Sequence, residues 1–299
     1  MNHPIKDIVN SQARILRAGY NGEIALQFPL SFLPYDEFLI FHHLRIPDAH
    51  GFFQIDILLL SKKFLLIIEV KNIDGEVSFD DFGQSIRRKQ GKEDAFTNPI
   101  EQINLQHIRL LRWLRNYNLP IIPIEKIAVY SSRHTILKDI TNDKAISNTV
   151  IRKDKILSKI DEMKQKHLIP VLTEDQLMEL SYKLLSAHTE ENMDALEKFK
   201  VSPEELITGV ICPKCGEVPM IRKSGKWNCI QCKTISKTAH KQDLRDYALL
   251  ICEYISNKNA REFLQLPSIN TARNLLKGNY RQIADTSGRK YHLVEEIFE

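Results

Sequence analysis

Apolar and polar positions along the chain switch between a helical and a strand period, and the switches mark the elements. Ile8, Ile15, Leu16 and Leu26 give a loose helical face over residues 5–27, with Gly19 and Gly22 marking a bend or break near Glu23. Runs rich in β-branched and aromatic residues predict strands over 38–44, 52–60 and 64–70. Ser61-Lys62-Lys63 is short enough to join the last two as a hairpin. The third run, Phe64-Leu65-Leu66-Ile67-Ile68, is apolar on both faces, as a strand in the middle of a sheet must be. Polar, glycine-containing sequence over 74–97 shows no period. A helix over 99–117 follows, with Asn98 as N-cap, Pro99 in its first position and a stripe of Ile103, Leu110, Leu111 and Leu114. A fourth strand lies within 121–130.

Residues 146–205 read as a helical connector, with capping-box patterns at Thr173-Glu174-Asp175-Gln176 and Ser202-Pro203-Glu204-Glu205. Three short helices over 243–255, 260–264 and 268–276, then a hairpin over 280–293 turning at Ser287-Gly288, are compatible with a winged helix-turn-helix. A plain helical packing module is the alternative. The expected domains are therefore an α/β domain over 1–145, the connector over 146–205, a cysteine-bearing segment over 206–240 and a small helical domain over 241–299.

Charge changes this picture locally. The chain of 299 residues carries a net charge of only +4. Residues 206–240, however, hold 6 Lys/Arg against 1 Asp/Glu, and four of the five cysteines. A local basic patch is a better footprint of a polyanion than total charge. No apolar run approaches the ~20 residues that span a bilayer. Nor does the N-terminus have the apolar stretch of a secretory signal, so a cytoplasmic protein without membrane contact is expected.

Two carboxylates interrupt apolar strands. Glu69 and Lys71, two apart, point to one face at the end of the most apolar run, and Asp56 stands alone in Gln54-Ile55-Asp56-Ile57-Leu58. An unpaired charge there would cost several kcal/mol. A buried ion pair with Lys71 would compensate. So would a hard cation, which can activate water for attack on phosphorus while the lysine stabilises the developing charge. Any of His42, His43 and His107 could face that site and Arg87-Arg88-Lys89 could contact phosphates; satisfied or surface histidines and a solvated charge run are the plainer readings.

The cysteines form C-x2-C-x13-C-x2-C: Cys212, Cys215, Cys229 and Cys232. Two such knuckles present four thiolates to a tetrahedral Zn²⁺, with Gly216 supplying the tight turn. A closed set of four thiolates makes that zinc structural. Arg222, Lys223, Lys226 and Trp227, between the pairs, suit phosphates and a stacked base; the plainer reading packs Trp227 on the zinc core. Cys252, alone in an apolar stretch, reads as a core residue.

Gly19-Tyr20-Asn21-Gly22-Glu23, Gln54-Ile55-Asp56-Ile57, Ile68-Glu69-Val70-Lys71 with Gly75, and Asn98-Pro99-Ile100-Glu101-Gln102 occur in that order. Together they resemble the nuclease-related (NERD) domain of the PD-(D/E)xK restriction-endonuclease-like superfamily, over about residues 10–135. The resemblance implies a restriction-endonuclease-like mixed sheet flanked by helices. It implies Asp56 and Glu69 as ligands of Mg²⁺ or Mn²⁺, with the backbone carbonyl of Val70, and Lys71 as the catalytic lysine. Glu23 and Gln102 would be supporting groups. The chain departs from the family where a tryptophan often follows the glycine-containing loop; here the stretch reads Gln84-Ser85-Ile86-Arg87-Arg88. The expectation is a metal-dependent nuclease acting on nucleic acid, DNA before RNA, with the zinc ribbon aiding binding. The alternatives are a nucleic-acid-binding protein that keeps the fold without turnover, and a regulatory protein.

Overall fold

The computed structural model describes residues 3–80, 82–117, 119–139, 144–191, 193–283 and 288–294. The chain divides into two compact units, Met1–Glu191 and Asn192–Glu299.

The first unit runs α1 (Lys6–Leu30), β1 (Leu39–Asp48), β2 (Gly51–Leu60), β3 (Leu65–Lys71), β4 (Gly75–Phe79), β5 (Gln84–Lys89), β6 (Lys92–Thr97), α2 (Pro99–Leu114), β7 (Ile124–Tyr130), β8 (Thr135–Asp139), α3 (Lys144–Thr149), β9 (Val150–Arg152), α4 (Ile156–Lys166) and α5 (Glu174–Ala187). Its main sheet has the order β1-β2-β3-β7-β9. β1, β2 and β3 pair antiparallel, while β3, β7 and β9 pair parallel. The doubly apolar run is the central strand, and residues Leu65 to Ile68 are fully buried. One face packs Leu66 and Ile68 under α1 and α4, through Leu26, Leu30, Ile156 and Ile160. The other packs Leu65 and Ile67 under α2 and α5, through Ile103, Leu110, Leu177 and Leu180. Each such side chain contributes roughly 1.5–3 kcal/mol on burial, so three layers are held by one sheet.

Four expectations are corrected here. Helix α1 does not break at its glycines but runs unbroken from Lys6 to Leu30. Gly22 is instead a point of close approach: a Cβ there would lie 2.7 Å from Asn72 Cβ and 3.0 Å from Ser131 Oγ. The inward face of α1 is Gly22, Leu26 and Leu30, whereas Ile8, Ile15 and Leu16 are exposed. The aperiodic stretch over 74–97 is a second sheet, β6-β5-β4-β8. Its hydrophilic strands are stitched by cross-strand ion pairs, Arg87 to Asp94 and Arg88 to Glu93, and with Lys89 paired to Asp74 at 3.4 Å all three residues of the basic run have carboxylate partners. Lastly, residues up to Glu191 belong to the first unit and not to a separate connector, because β9 extends the sheet and α4 and α5 cover its faces. Asn98 caps α2 through its Oδ1, which accepts from Ile100 N at 2.9 Å, and Thr173 forms its capping box on α5.

The second unit runs α6 (Ala195–Phe199), β10 (Ile221–Lys223), β11 (Lys226–Asn228), β12 (Ile235–Ser236), α7 (His240–Leu250), β13 (Tyr254–Ser256), α8 (Asn257–Leu264), α9 (Ile269–Lys277), β14 (Arg281–Gln282) and β15 (Lys290–His292). The ribbon sheet is β10-β11-β12, and the second sheet β13-β15-β14. β14 and β15 pair antiparallel as the expected hairpin; Ser287 of its turn lies outside the described residues. The segments over 206–240 and 241–299 are not separate bodies. Cys212, Met220, Trp227 and Cys229 share one core with Leu244, Tyr247, Leu264 and Leu275. Cys252 is exposed, not a core residue. Among the described residues, no helix is long and apolar enough to cross a membrane.

Candidate functional sites

The first site forms where β2 and β3 part. Their antiparallel ladder closes at Ile57↔Ile68, and one residue further Asp56 and Glu69 come next on the two strands. There the backbone N–H of Val70 donates to Asp56 Oδ2 at 2.8 Å. Glu69 is 2% exposed. Its Oε1 accepts from Lys71 Nζ at 2.7 Å, and its Oε2 accepts from Gln106 Nε2 at 2.8 Å. Lys71 Nζ also donates to Gln102 Oε1 at 2.9 Å. Gln102 and Gln106 are one helical turn apart on α2, so one face of that helix grips both charged residues of the β3 end. Glu23, on α1, completes the group.

Electrostatics set this cluster apart. Burial, reinforced by the charges of Asp56 and Glu69, pushes the Glu23 carboxyl up to about 8. Burial and the Glu69 charge push Asp56 up as well, against the Val70 N–H and Lys71, which pull it down. Glu23, Asp56 and Glu69 against Lys71 leave a formal charge of −2 when all are ionised, and burial with mutual repulsion favours the protonated forms of Glu23 and Asp56. A divalent cation would offset that charge. The donor set is oxygen only, the chemistry of Mg²⁺ or Mn²⁺. Among the described residues, though, the cysteines are the only group of three or more ligating side chains gathered closely enough for one ion. At the acidic site two carboxylates and backbone or water oxygens would have to suffice, as is usual for Mg²⁺.

All five residues singled out in the sequence, Glu23, Asp56, Glu69, Lys71 and Gln102, come together here. One was missed. Gln106 is readable in hindsight as the next position on the Gln102 face of α2. His43, one of the three histidines that could face the site, borders the cluster. It adopts φ +52 within β1, across from Asp56 in a register that pairs His42 with Ile57 and Leu44 with Ile55. That left-handed residue brings its Nδ1 to 3.0 Å from Glu23 Oε2.

The second site is the cysteine cluster. The four Sγ atoms lie within 4.8 Å of one another. Cys212 and Cys232 are 3.6 Å apart, and Cys215 and Cys229 3.5 Å. A disulfide needs ~2.05 Å, whereas sulfurs at about 2.3 Å from a tetrahedral zinc stand ~3.8 Å apart. The four cysteines therefore fit one Zn²⁺. Each knuckle turns on a left-handed residue directly after its second cysteine, Gly216 at φ +75 and Lys233 at φ +58. β10 and β11 are joined by Ser224 and Gly225, both at positive φ, as a two-residue hairpin turn requires.

The loop between the knuckles departs from the expected nucleic-acid surface. Trp227 is fully buried and donates from Nε1 to His240 Nδ1 at 3.1 Å, so its ring has no open face on which a base can stack. Arg222 is half-buried, with its guanidinium 4.9 Å over the Trp227 ring. Lys223 and Lys226 remain exposed at the hairpin tip.

A mixed sheet between helix layers, with carboxylates and a lysine gathered where its central strands part, defines the class: an α/β domain with a buried acidic cluster at the split of its sheet. Residues 18–131 match the family model of the nuclease-related domain, and the chain carries such a domain there. That span contains every residue of the acidic site. No curated protein and no solved structure matches the chain.

Proposed function

We propose that the first unit is a metal-dependent nuclease that hydrolyses phosphodiester bonds of nucleic acid, DNA being the expected substrate, with Mg²⁺ or Mn²⁺ held by Asp56 and Glu69. The observation that carries this reading is the uncompensated acidic cluster, in which burial and mutual repulsion raise the Glu23 and Asp56 carboxyls. The bound ion would supply Lewis-acid polarisation and a water of lowered pKa. Lys71, fixed by Glu69 and Gln102, would stabilise charge developing on a phosphate oxygen. Gln106 would hold Glu69 in its ligating orientation. Glu23, near neutrality in its titration, would accept or return a proton close by. The zinc of the second unit would be structural, with Lys223 and Lys226 helping to hold the polyanion.

One observation favours a second reading, a nucleic-acid-binding domain without turnover: both Glu69 oxygens already have partners in Lys71 and Gln106. Labelled single- and double-stranded DNA and RNA, incubated with the protein in Mg²⁺, in Mn²⁺ and without divalent cation, separate the two. Cutting that needs the cation supports the nuclease. Binding without cutting under every condition supports the alternative.

A further inference from the structure

The second half of the second unit has the order α7, β13, α8, α9, β14, β15, with β15 between β13 and β14. That is the order of a winged helix. α8 ends on Gln265 in the left-handed conformation, and α9 starts after Ser268, whose Oγ accepts from Thr271 N at 3.1 Å. Ala272, Leu275 and Leu276 anchor α9 in the core. Its outer face presents Asn270, Arg273, Asn274 and Lys277, all exposed. These stand at i, i+3, i+4 and i+7, and no carboxylate is among them.

Beside this face lies a cavity of about 500 Å³ whose lining includes Lys258, Arg261, Arg273 and Arg289. Among the described residues, no carboxylate lies within ion-pair distance of Arg261 or Arg273, and Lys258 reaches Glu262 only at 3.9 Å. Arg261 is half-buried, and its Nε is buried without an acceptor. A buried donor without an acceptor is costly, and a charged acceptor relieves it best. The near-neutral total over 241–299 hides this. Between Tyr254 and Val294 there are 7 Lys/Arg against 2 Asp/Glu, the other acidic residues lying at the two ends of the segment.

We propose that this module is a duplex-DNA-binding winged helix. α9 lies in the major groove with the amides of Asn270 and Asn274 turned to base edges, and the pocket of Lys258, Arg261 and Arg273 closes on a backbone phosphate. Amides at base edges and cations on phosphates are the division of labour by which such helices specify and hold DNA. The assignment is independent of whether the first unit cuts.

The test is fluorescence anisotropy of a labelled random-sequence duplex with the full-length protein, without divalent cation and across a salt series. Arg261→Ala with Arg273→Ala should weaken binding at least ~10-fold and lower the salt slope by about 2, since each phosphate contact contributes ~0.9. Arg261→Lys with Arg273→Lys should keep most of the slope. Arg273→Glu, at an exposed position that the fold tolerates, should abolish binding with the zinc content unchanged. Absence of duplex binding by the wild type, an unchanged affinity in Arg273→Glu, or more effective competition by RNA than by duplex DNA would overturn the proposal.

Discussion

The chain gathers two candidate sets of four side chains, and they are built in opposite ways. The thiolates of Cys212, Cys215, Cys229 and Cys232 come from two knuckles within 21 residues, face one another within 4.8 Å and form a closed tetrahedron. Glu23, Asp56, Glu69 and Lys71 come from one helix and two strands. Lys71 pairs with Glu69 while Asp56 is held by the Val70 N–H, and burial with mutual repulsion raises the Glu23 and Asp56 carboxyls. A closed set can only hold its ion. An open, repelling set stores the electrostatic demand that a metal and a phosphate can answer.

The sharpest way to break the comparison is to remove the zinc. Cys212→Ser should unfold the second unit and leave the first intact, because structural zinc contributes on the order of 10–16 kcal/mol in small ribbons. Trp227, fully buried beside the cysteines, reports the loss as a red-shifted emission in a Trp113→Phe background. Emission unchanged in the serine variant would mean that the shared core holds without metal.

A smaller effect is expected at Gly22. Gly22→Val inserts atoms where Asn72 already stands 2.7 Å from a Cβ position. It should cost about 1–3 kcal/mol and lift Glu23 away from Asp56, lowering both the midpoint of denaturation and any cleavage. Equal stability in the two proteins would contradict the close approach.

Titration offers a third test. Glu23, raised from its usual range to about 8, binds its proton more tightly in the folded protein than in the unfolded chain. Its contribution to stability is therefore complete below the unfolded pKa and is lost as pH rises through about 8. In metal-free buffer, wild type should lose thermal stability relative to Glu23→Gln between pH 5 and 8, and added Mg²⁺ should shrink that difference. Parallel pH profiles would show that Glu23 is not in the cluster's field.

The smallest effect concerns the ribbon hairpin. Lys223→Ala with Lys226→Ala should change stability by no more than about 0.5 kcal/mol. The same pair should lower the salt dependence of nucleic-acid binding by about one unit for each phosphate that a lysine had neutralised. A salt slope equal to wild type would remove the hairpin from the binding surface.

What the sequence made legible follows the same division. The cysteine site is a local pattern, so its spacing sufficed. The central strand was readable because burial on both faces leaves no polar position from Phe64 to Ile68. Asp56, Glu69 and Lys71 stood out as charges in apolar strands, but only the resemblance joined Glu23 and Gln102 to them, since no local rule says which helix caps a sheet. Gln106 was invisible because its role depends on the docking angle of α2, and His43 could not be told apart from His42 and His107 because its placement depends on a left-handed residue in β1. The second sheet escaped because ion pairs such as Arg88–Glu93, not apolar alternation, link its strands. Of the two readings of Trp227 the sequence could not choose: its neighbours are Lys226 and Asn228, and only the fold brings α7 of the same core over it, which favours packing.

The most direct test of the central claim is the single-turnover cleavage rate of Glu69→Gln and Lys71→Ala beside wild type in Mg²⁺, with zinc content verified in all three. The account predicts that wild type cuts, that Lys71→Ala is slower by ~10²–10³ and that Glu69→Gln is at least as impaired, each still binding nucleic acid. Cleavage by both variants at the wild-type rate would contradict it and place the chemistry elsewhere in the chain.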